Sequence, residues 1–412
     1  MLGSWKAALA IVFVLTFVAG RTAQAQTYQV LHTFTAGADG AQPQAGVTID
    51  KAGNLYGTTA YYGAGTVYKL TNGRSGWTFS TLFSFNNADG AHPVARVVFG
   101  PNGSLYGTTG TGGAYNWGTV FNLQPPLGVC KSISCPWRQT ILYNFKGGSD
   151  AADPFYGDLT FDPMGNIYGT TFYGGDNGVG AVYELARHSD GSYVESVIHS
   201  FGSGFDGAYP TAGLVFDAYS NLWGTTVNGG LNGVGTVFEL TYQQQVGWGE
   251  SGLFWFTGGL IGSYPFASLV YDPSSDYFYG ITAKSGAYNG GTIFQLIPIE
   301  GITVITLQSF DGCTTISYGP VRPLVMDASG TIYGTNECDG AYHYGTVFKF
   351  QLVGGVWTYT DLYDFTGGSD GGYPVSNVVF DANGNLYGTA SQGGNLSDCG
   401  GSGCGVVWKF TP

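Results

Sequence analysis

The tripeptide Tyr-Gly-Thr, or a close variant, begins at Tyr56, Tyr106, Tyr168, Trp223, Tyr279, Tyr333 and Tyr387, at intervals of 50, 62, 55, 56, 54 and 54 residues. A second motif, Gly-Thr-Val or a variant, follows each time at Gly65, Gly118, Gly180, Gly235, Gly291, Gly345 and Gly405. Two motifs that recur seven times in constant order describe one unit repeated seven times. Such units are too small to bury an apolar face alone and must bury it on one another. Seven units also account for the whole chain beyond the first 25 residues, leaving no length for a second domain.

Each unit can be written as four short strands. In the first, strand A is Gly46-Val47-Thr48-Ile49-Asp50, and a Lys51-Ala52-Gly53 turn leads to strand B, Asn54 to Thr59. After a Gly-rich loop, strand C is Gly65 to Leu70 and strand D is Trp77 to Phe85. These runs are rich in β-branched and aromatic residues and are bounded by Gly, Asn and Asp. No long amphipathic helical period follows the leader, so the expected fold is all-β.

Four strands repeated seven times predict a seven-bladed β-propeller of four-stranded blades. The termini distinguish a ring from a linear solenoid. The seventh unit stops after its strand C, Val406 to Phe410, while Thr27 to Phe34 is a strand D with no A, B or C before it. Pairing the two fragments completes the last blade, closes the ring and removes a bare sheet edge.

The repeat Pro-x-x-x-hydrophobic-Asp-x-x-Gly-Asn-Leu-Tyr-Gly-Thr-Thr, its later Gly-Thr-Val, and the Gly367-Gly368-Ser369-Asp370-Gly371 segment resemble the GloVer tandem-repeat family of exported bacterial proteins. The resemblance runs over nearly all of residues 26–412. It implies a fold and an address, but no reaction and no catalytic residues. Members of that family differ in how they are anchored to the cell surface, and no C-terminal anchor is recognisable here.

The address can also be read from the residues. Residues 1–25 read as a secretory signal peptide: Lys6 is the positive start, Ala7 to Gly20 the apolar stretch, and Ala23-Gln24-Ala25 the cleavage site. No other segment has the length and apolarity of a membrane-spanning helix. The chain ends at Pro412 without a sorting tail, and the expectation is a soluble, exported protein. The six cysteines fit an oxidising compartment, with Cys130–Cys135, Cys313–Cys338 and Cys399–Cys404 as the economical disulfide pairing. None has the spacing of a zinc site.

Composition narrows the ligand classes. The chain has 70 Gly, but its 29 Tyr, 27 Phe and 9 Trp supply the apolar mass that disordered Gly-rich chains lack. Lys+Arg 14 against Asp+Glu 27 gives −13, and removing the leader with Lys6 and Arg21 makes it −15. That balance repels phosphate backbones, so nucleic acid is not an expected partner.

Repeated residues read as scaffold. Asp39, Asp89, Asp150, Asp206 and Asp370 stand four residues before a Pro, and Asp50, Asp162, Asp217, Asp272, Asp327 and Asp381 stand at the A–B turns. Both sets are expected to cap turns rather than to bind calcium, because one carboxylate per blade cannot share an ion. No cofactor is expected. The Tyr of Tyr-Gly-Thr is expected in the packing between sheets.

Function is sought where the symmetry breaks. The D–A and B–C loops should share one face, with strand A lining a central channel. The strand-A starts are Gly46, Arg96, Asp158, Gly213, Ser268, Pro323 and Asn377, with Arg322 one residue earlier in blade six. Arg96 and Asp158 lie in adjacent blades and can pair with each other, or the arginines can clamp an anion. Glu337, Asp339 and His343 in blade six and the aromatics Tyr115 and Trp117 in blade two complete the candidate ligand-binding set. His92, Asp153 and Tyr288 join them on the same loops. The expected function is a recognition or surface-interaction module for a glycan or protein ligand. The alternative is a carbohydrate-active lyase or glycosidase at the channel mouth, with a structural role in the envelope third.

Overall fold

The computed structural model describes residues 26–126, 137–202, 204–299, 301–312, 320–337 and 339–412. Seven four-stranded antiparallel sheets are arranged as a β-propeller. Blade one comprises Thr48–Ile49, Leu55–Thr59, Thr66–Gly73 and Gly76–Ser84, paired in that order from A to D. The ring closes as expected: Thr27–Thr33 pairs antiparallel with Val406–Thr411, supplying strand D of blade seven. Cys399 and Cys404 form a disulfide just before Val406–Thr411, strand C of that blade. The other two expected pairs, Cys130–Cys135 and Cys313–Cys338, and the leader expected at residues 1–25 lie outside the described residues.

The two motifs have packing reasons. A Cβ on Gly57 would collide with the Tyr68 hydroxyl, so the Gly of the first motif lets the strand-C aromatic lie across strand B. Thr59, the residue after the first motif, and Thr66 of the second share a buried hydrogen bond of 2.7 Å. Gly65 adopts φ +94° against Pro93 of the next blade, a conformation and a gap that exclude a side chain. The hydrophobic core is accordingly a series of inter-blade sandwiches. In one of them Tyr56 and Val67 of blade one pack on Leu105 and Phe121 of blade two.

Strand A is shorter than its sequence suggests, pairing over Thr48–Ile49 alone. At the ring centre the preceding residues turn towards the neighbouring blade instead. Ala45 accepts a hydrogen bond from Thr389 of blade seven, and Ala95 accepts one from Thr58 of blade one. The residue before each D–A proline is a second stitch that propensity would not suggest. Gln42, His92, Asp153, Tyr209, Tyr264 and Tyr373 all have φ between +51° and +59°. His92 shows how the strain is held: its N–H donates to Ala64 of the preceding blade and its carbonyl accepts from Gly110.

Candidate functional site at the channel mouth

Three residues before strand A, the blades carry Ala45, Ala95, Gly157, Ala212, Ala267, Arg322 and Ser376. Six of these are small, because the position faces the crowded ring centre. Blade six places an arginine there. Arg322 is 8% exposed, and no acceptor among the described residues lies within hydrogen-bonding distance of its Nε. Its guanidinium instead lies 4.1 Å from the centroid of the Tyr156 ring, which projects from blade three. Stacking on an aromatic face accommodates a weakly hydrated guanidinium without consuming its N–H donors.

The same two residues, Arg322 and Tyr156, line a cavity of about 230 Å³ with Gln44, Phe266, Val321, Glu337 and Val375. A second space of about 20 Å³, room for about one water, shares Tyr156, Arg322 and Val375 with it and adds Arg96, Asp158 and Asn377. The larger cavity is a cup, with Arg322 in the wall that it shares with the smaller space. Burial pushes the Glu337 carboxyl up to about 7, against the opposing pull of Arg322, and the two form no ion pair within 4.0 Å. A larger cleft of about 410 Å³ lies between blades four and five, near Asp217 and Trp223. There the Asp217 carboxylate is committed to Tyr219 N, to Asn221 and to Trp223 Nε1, so the cup offers the freer charge.

The residues singled out from the sequence divide into three groups. Arg96 and Asp158 are spent on each other: Nε and Nη2 of Arg96 each reach Asp158 Oδ2 at 2.9 Å, and Asp158 Oδ1 accepts the Arg96 backbone N–H. Arg322 and Glu337 share the cup. Asp339 and His343 do not line it. Asp339 accepts the Gly340 N–H and is raised above the usual carboxylate range by burial and by the nearby Asp311 and Asp364, while His343 lies on an exposed turn. Tyr115 and Trp117 are exposed on the blade-two B–C loop, and Tyr61, Tyr62, Tyr173, Tyr288, Tyr342 and Tyr344 are exposed on the equivalent loops of other blades. The cup-bearing face is thus rimmed by aromatic rings.

The repeated carboxylates act as turn caps. Asp39 accepts Thr35 N and Gly37 N, and Asp50 accepts Ala52 N, Asn54 N, the Asn54 amide and the Tyr56 hydroxyl. Tyr156 was not singled out by sequence. Its signal is a one-residue insertion: six positions separate Pro154 from Thr160, against five from Pro93 to Val98.

The model of the Gloeobacter/Verrucomicrobia repeat matches residues 16–138, 134–318 and 251–412. The chain belongs to this repeat family. Among solved structures, the repeat protein is similar to a Lactobacillus plantarum protein at TM-score 0.55 and 13% identity, covering 87% of this chain and 99% of that one. It is also similar to a putative oxidoreductase (glucose dehydrogenase) from Thermus thermophilus, at TM-score 0.42 and 12% identity over 94% and 100% of the two chains. AofleA from Arthrobotrys oligospora gives TM-score 0.44 and 12% identity over 82% and 89%. At 13% identity the likeness to the Lactobacillus plantarum protein concerns architecture and transfers no chemistry. No curated protein matches the chain.

Proposed function

We propose that this repeat protein is an exported recognition module whose cup takes the acidic end of a glycan, a uronate carboxylate or a sulfate. The carrying observation is Arg322, a buried guanidinium with a free Nε at a position that is small in the other six blades. Arginine forks bind such oxyanions in two-pronged fashion, and a partly dry cup strengthens the attraction. The exposed Tyr and Trp rings of the B–C loops favour a sugar chain over a bare anion, since they offer apolar faces on which sugar rings can stack. The Cys399–Cys404 disulfide and the leader-like residues 1–25 support action in an oxidising, extracytoplasmic compartment.

Glu337 supports a second reading. A carboxyl that titrates near about 7 beside an arginine is suited to proton transfer next to a bound uronate. A panel of acidic and neutral polysaccharides, scored for retention and for released ends together, separates the readings. The binding reading expects retention of acidic chains without release, weakened at least tenfold in Arg322→Gln. Release of sugar ends or unsaturated uronate, lost in Glu337→Gln, would replace it by the lyase reading. Equal retention of neutral and acidic chains would remove both.

A further inference from the structure

The D–A loops repeat one polar arrangement with graded variations. A residue late in strand D faces the loop carboxylate, and strand D of the following blade passes beside both. Where the ring closes, His32 Nε2 lies 3.2 Å from Asp39 Oδ2, and Phe79 of blade one stacks on the imidazole at 4.0 Å. After blade two, the Tyr143 hydroxyl donates to Asp150. After blade three, His199 Nε2 lies 3.5 Å from Asp206 Oδ1, and the neighbouring strand presents Glu250. The register shows that this is a substitution at one position, because Phe79 pairs with Leu70 and Glu250 with Leu240, equivalent residues of strand C.

Two observations distinguish this junction from its siblings. The His199 Nε2 atom is buried yet has no hydrogen-bond partner, although it faces a carboxylate. Its ligand atom and those of Asp206 and Glu250 all lie within 4.8 Å of one another. A separation of 3.5 Å is poor for a hydrogen bond, but two ligands held about 2.0–2.1 Å from one tetrahedral zinc lie about 3.3–3.4 Å apart. The Asp206 carboxylate is fixed from behind, since Oδ1 accepts Gly207 N at 2.7 Å and Oδ2 accepts Gly202 N at 2.6 Å. Such backing hydrogen bonds orient a metal ligand and leave a lone pair for the ion. Among the described residues, no other group of His, Cys, Asp and Glu converges in this way.

We propose that the junction of blades three and four binds one divalent first-row transition metal, with zinc as the representative ion, through His199 Nε2, Asp206 and Glu250. One imidazole and two carboxylates match borderline ions better than calcium, which prefers six or more oxygens. Glu250 is on the exposed side, so the fourth coordination position opens to solvent. The ion clamps strand D of blade three, the following loop and strand D of blade four. The reading is independent of the cup.

The test uses the exported full chain, stripped with a chelator and titrated with Zn²⁺ by calorimetry, with Co²⁺ absorption as a second readout. Wild type is expected to take up one more equivalent than His199→Gln, with a raised melting temperature and a cobalt band. Glu250→Gln, an exposed change that spares the fold, should weaken uptake at least tenfold, whereas His32→Gln should leave it unchanged. Equal stoichiometry and affinity in wild type, His199→Gln and Glu250→Gln, or no uptake by wild type, would overturn the proposal.

Discussion

Five of the seven inter-blade junctions share a hydrogen bond that the other two lack. Thr58, Thr170, Thr225, Thr335 and Thr389 of strand B each donate to the residue three before strand A of the next blade, at Ala95, Ala212, Ala267, Ser376 and Ala45. Between blades two and three, the insertion that brings in Tyr156 leaves the Thr108 hydroxyl buried and without a partner among the described residues. Between blades five and six, strand B carries Ile281 instead of Thr, and the facing residue is Arg322. The two broken junctions supply Tyr156 and Arg322 of the cup and the Arg96–Asp158 pair beside it. Repetition therefore builds a rigid ring, and the departures from it collect where a ligand can reach.

This contrast can be broken or sharpened by substitution. The largest effect is expected at Arg322, where Arg322→Gln should cost at least tenfold in retention of acidic glycan and leave the melting temperature near wild type. Asp158→Asn should act in the opposite sense. Because Arg96 loses the carboxylate that holds its fork, chemical denaturation should show a loss of about 1–3 kcal/mol with retention little changed. At an intact junction, Thr225→Val strands the Ala267 carbonyl and should cost about 1 kcal/mol. Thr108→Val removes a hydroxyl that has no partner, and denaturation should show it neutral or mildly stabilising. If Thr108→Val cost as much as Thr225→Val, the distinction between intact and broken junctions would fail.

The smallest effect concerns pH. Glu337 is raised in the fold from an ordinary value of 4.5 to about 7, so the folded state favours its protonated form. Its contribution to stability is fully present below about 4.5 and is lost as pH rises through about 7. A charged Glu337 also repels an anion in the cup. Retention of acidic glycan should therefore strengthen as pH falls from about 8 to about 6, and Glu337→Gln should flatten that profile. A wild-type profile flat over this range would remove Glu337 from the site.

How much of this was legible in the sequence follows from the range of each signal. The blades and the ring closure depend on local motifs repeated seven times, and the Asp caps on motifs repeated five and six times, so they could be read directly. The Arg96–Asp158 pair was legible because adjacent blades place equivalent positions side by side. Arg322 stood out as an arginine near the mouth, but its stack on Tyr156 did not, since blades three and six meet only through the ring centre. Tyr156 itself was hidden by a one-residue insertion that a count from Pro154 reveals. Glu250 was invisible for a different reason: it joins His199 and Asp206 across strands of two blades, and strand register, not sequence spacing, brings it there. Treating each loop carboxylate as solitary missed that third group.

On this reading the asymmetric cup, not the repeated scaffold, holds the ligand. A crystal structure of the protein soaked with an acidic oligosaccharide tests it most directly. The sugar carboxylate or sulfate is expected on the Arg322 guanidinium, within about 3 Å of its nitrogens, with the chain leaving the cup towards the aromatic B–C loops. Ligand density on the A–B turn face, or along repeated equivalent positions with the cup unchanged, would contradict it.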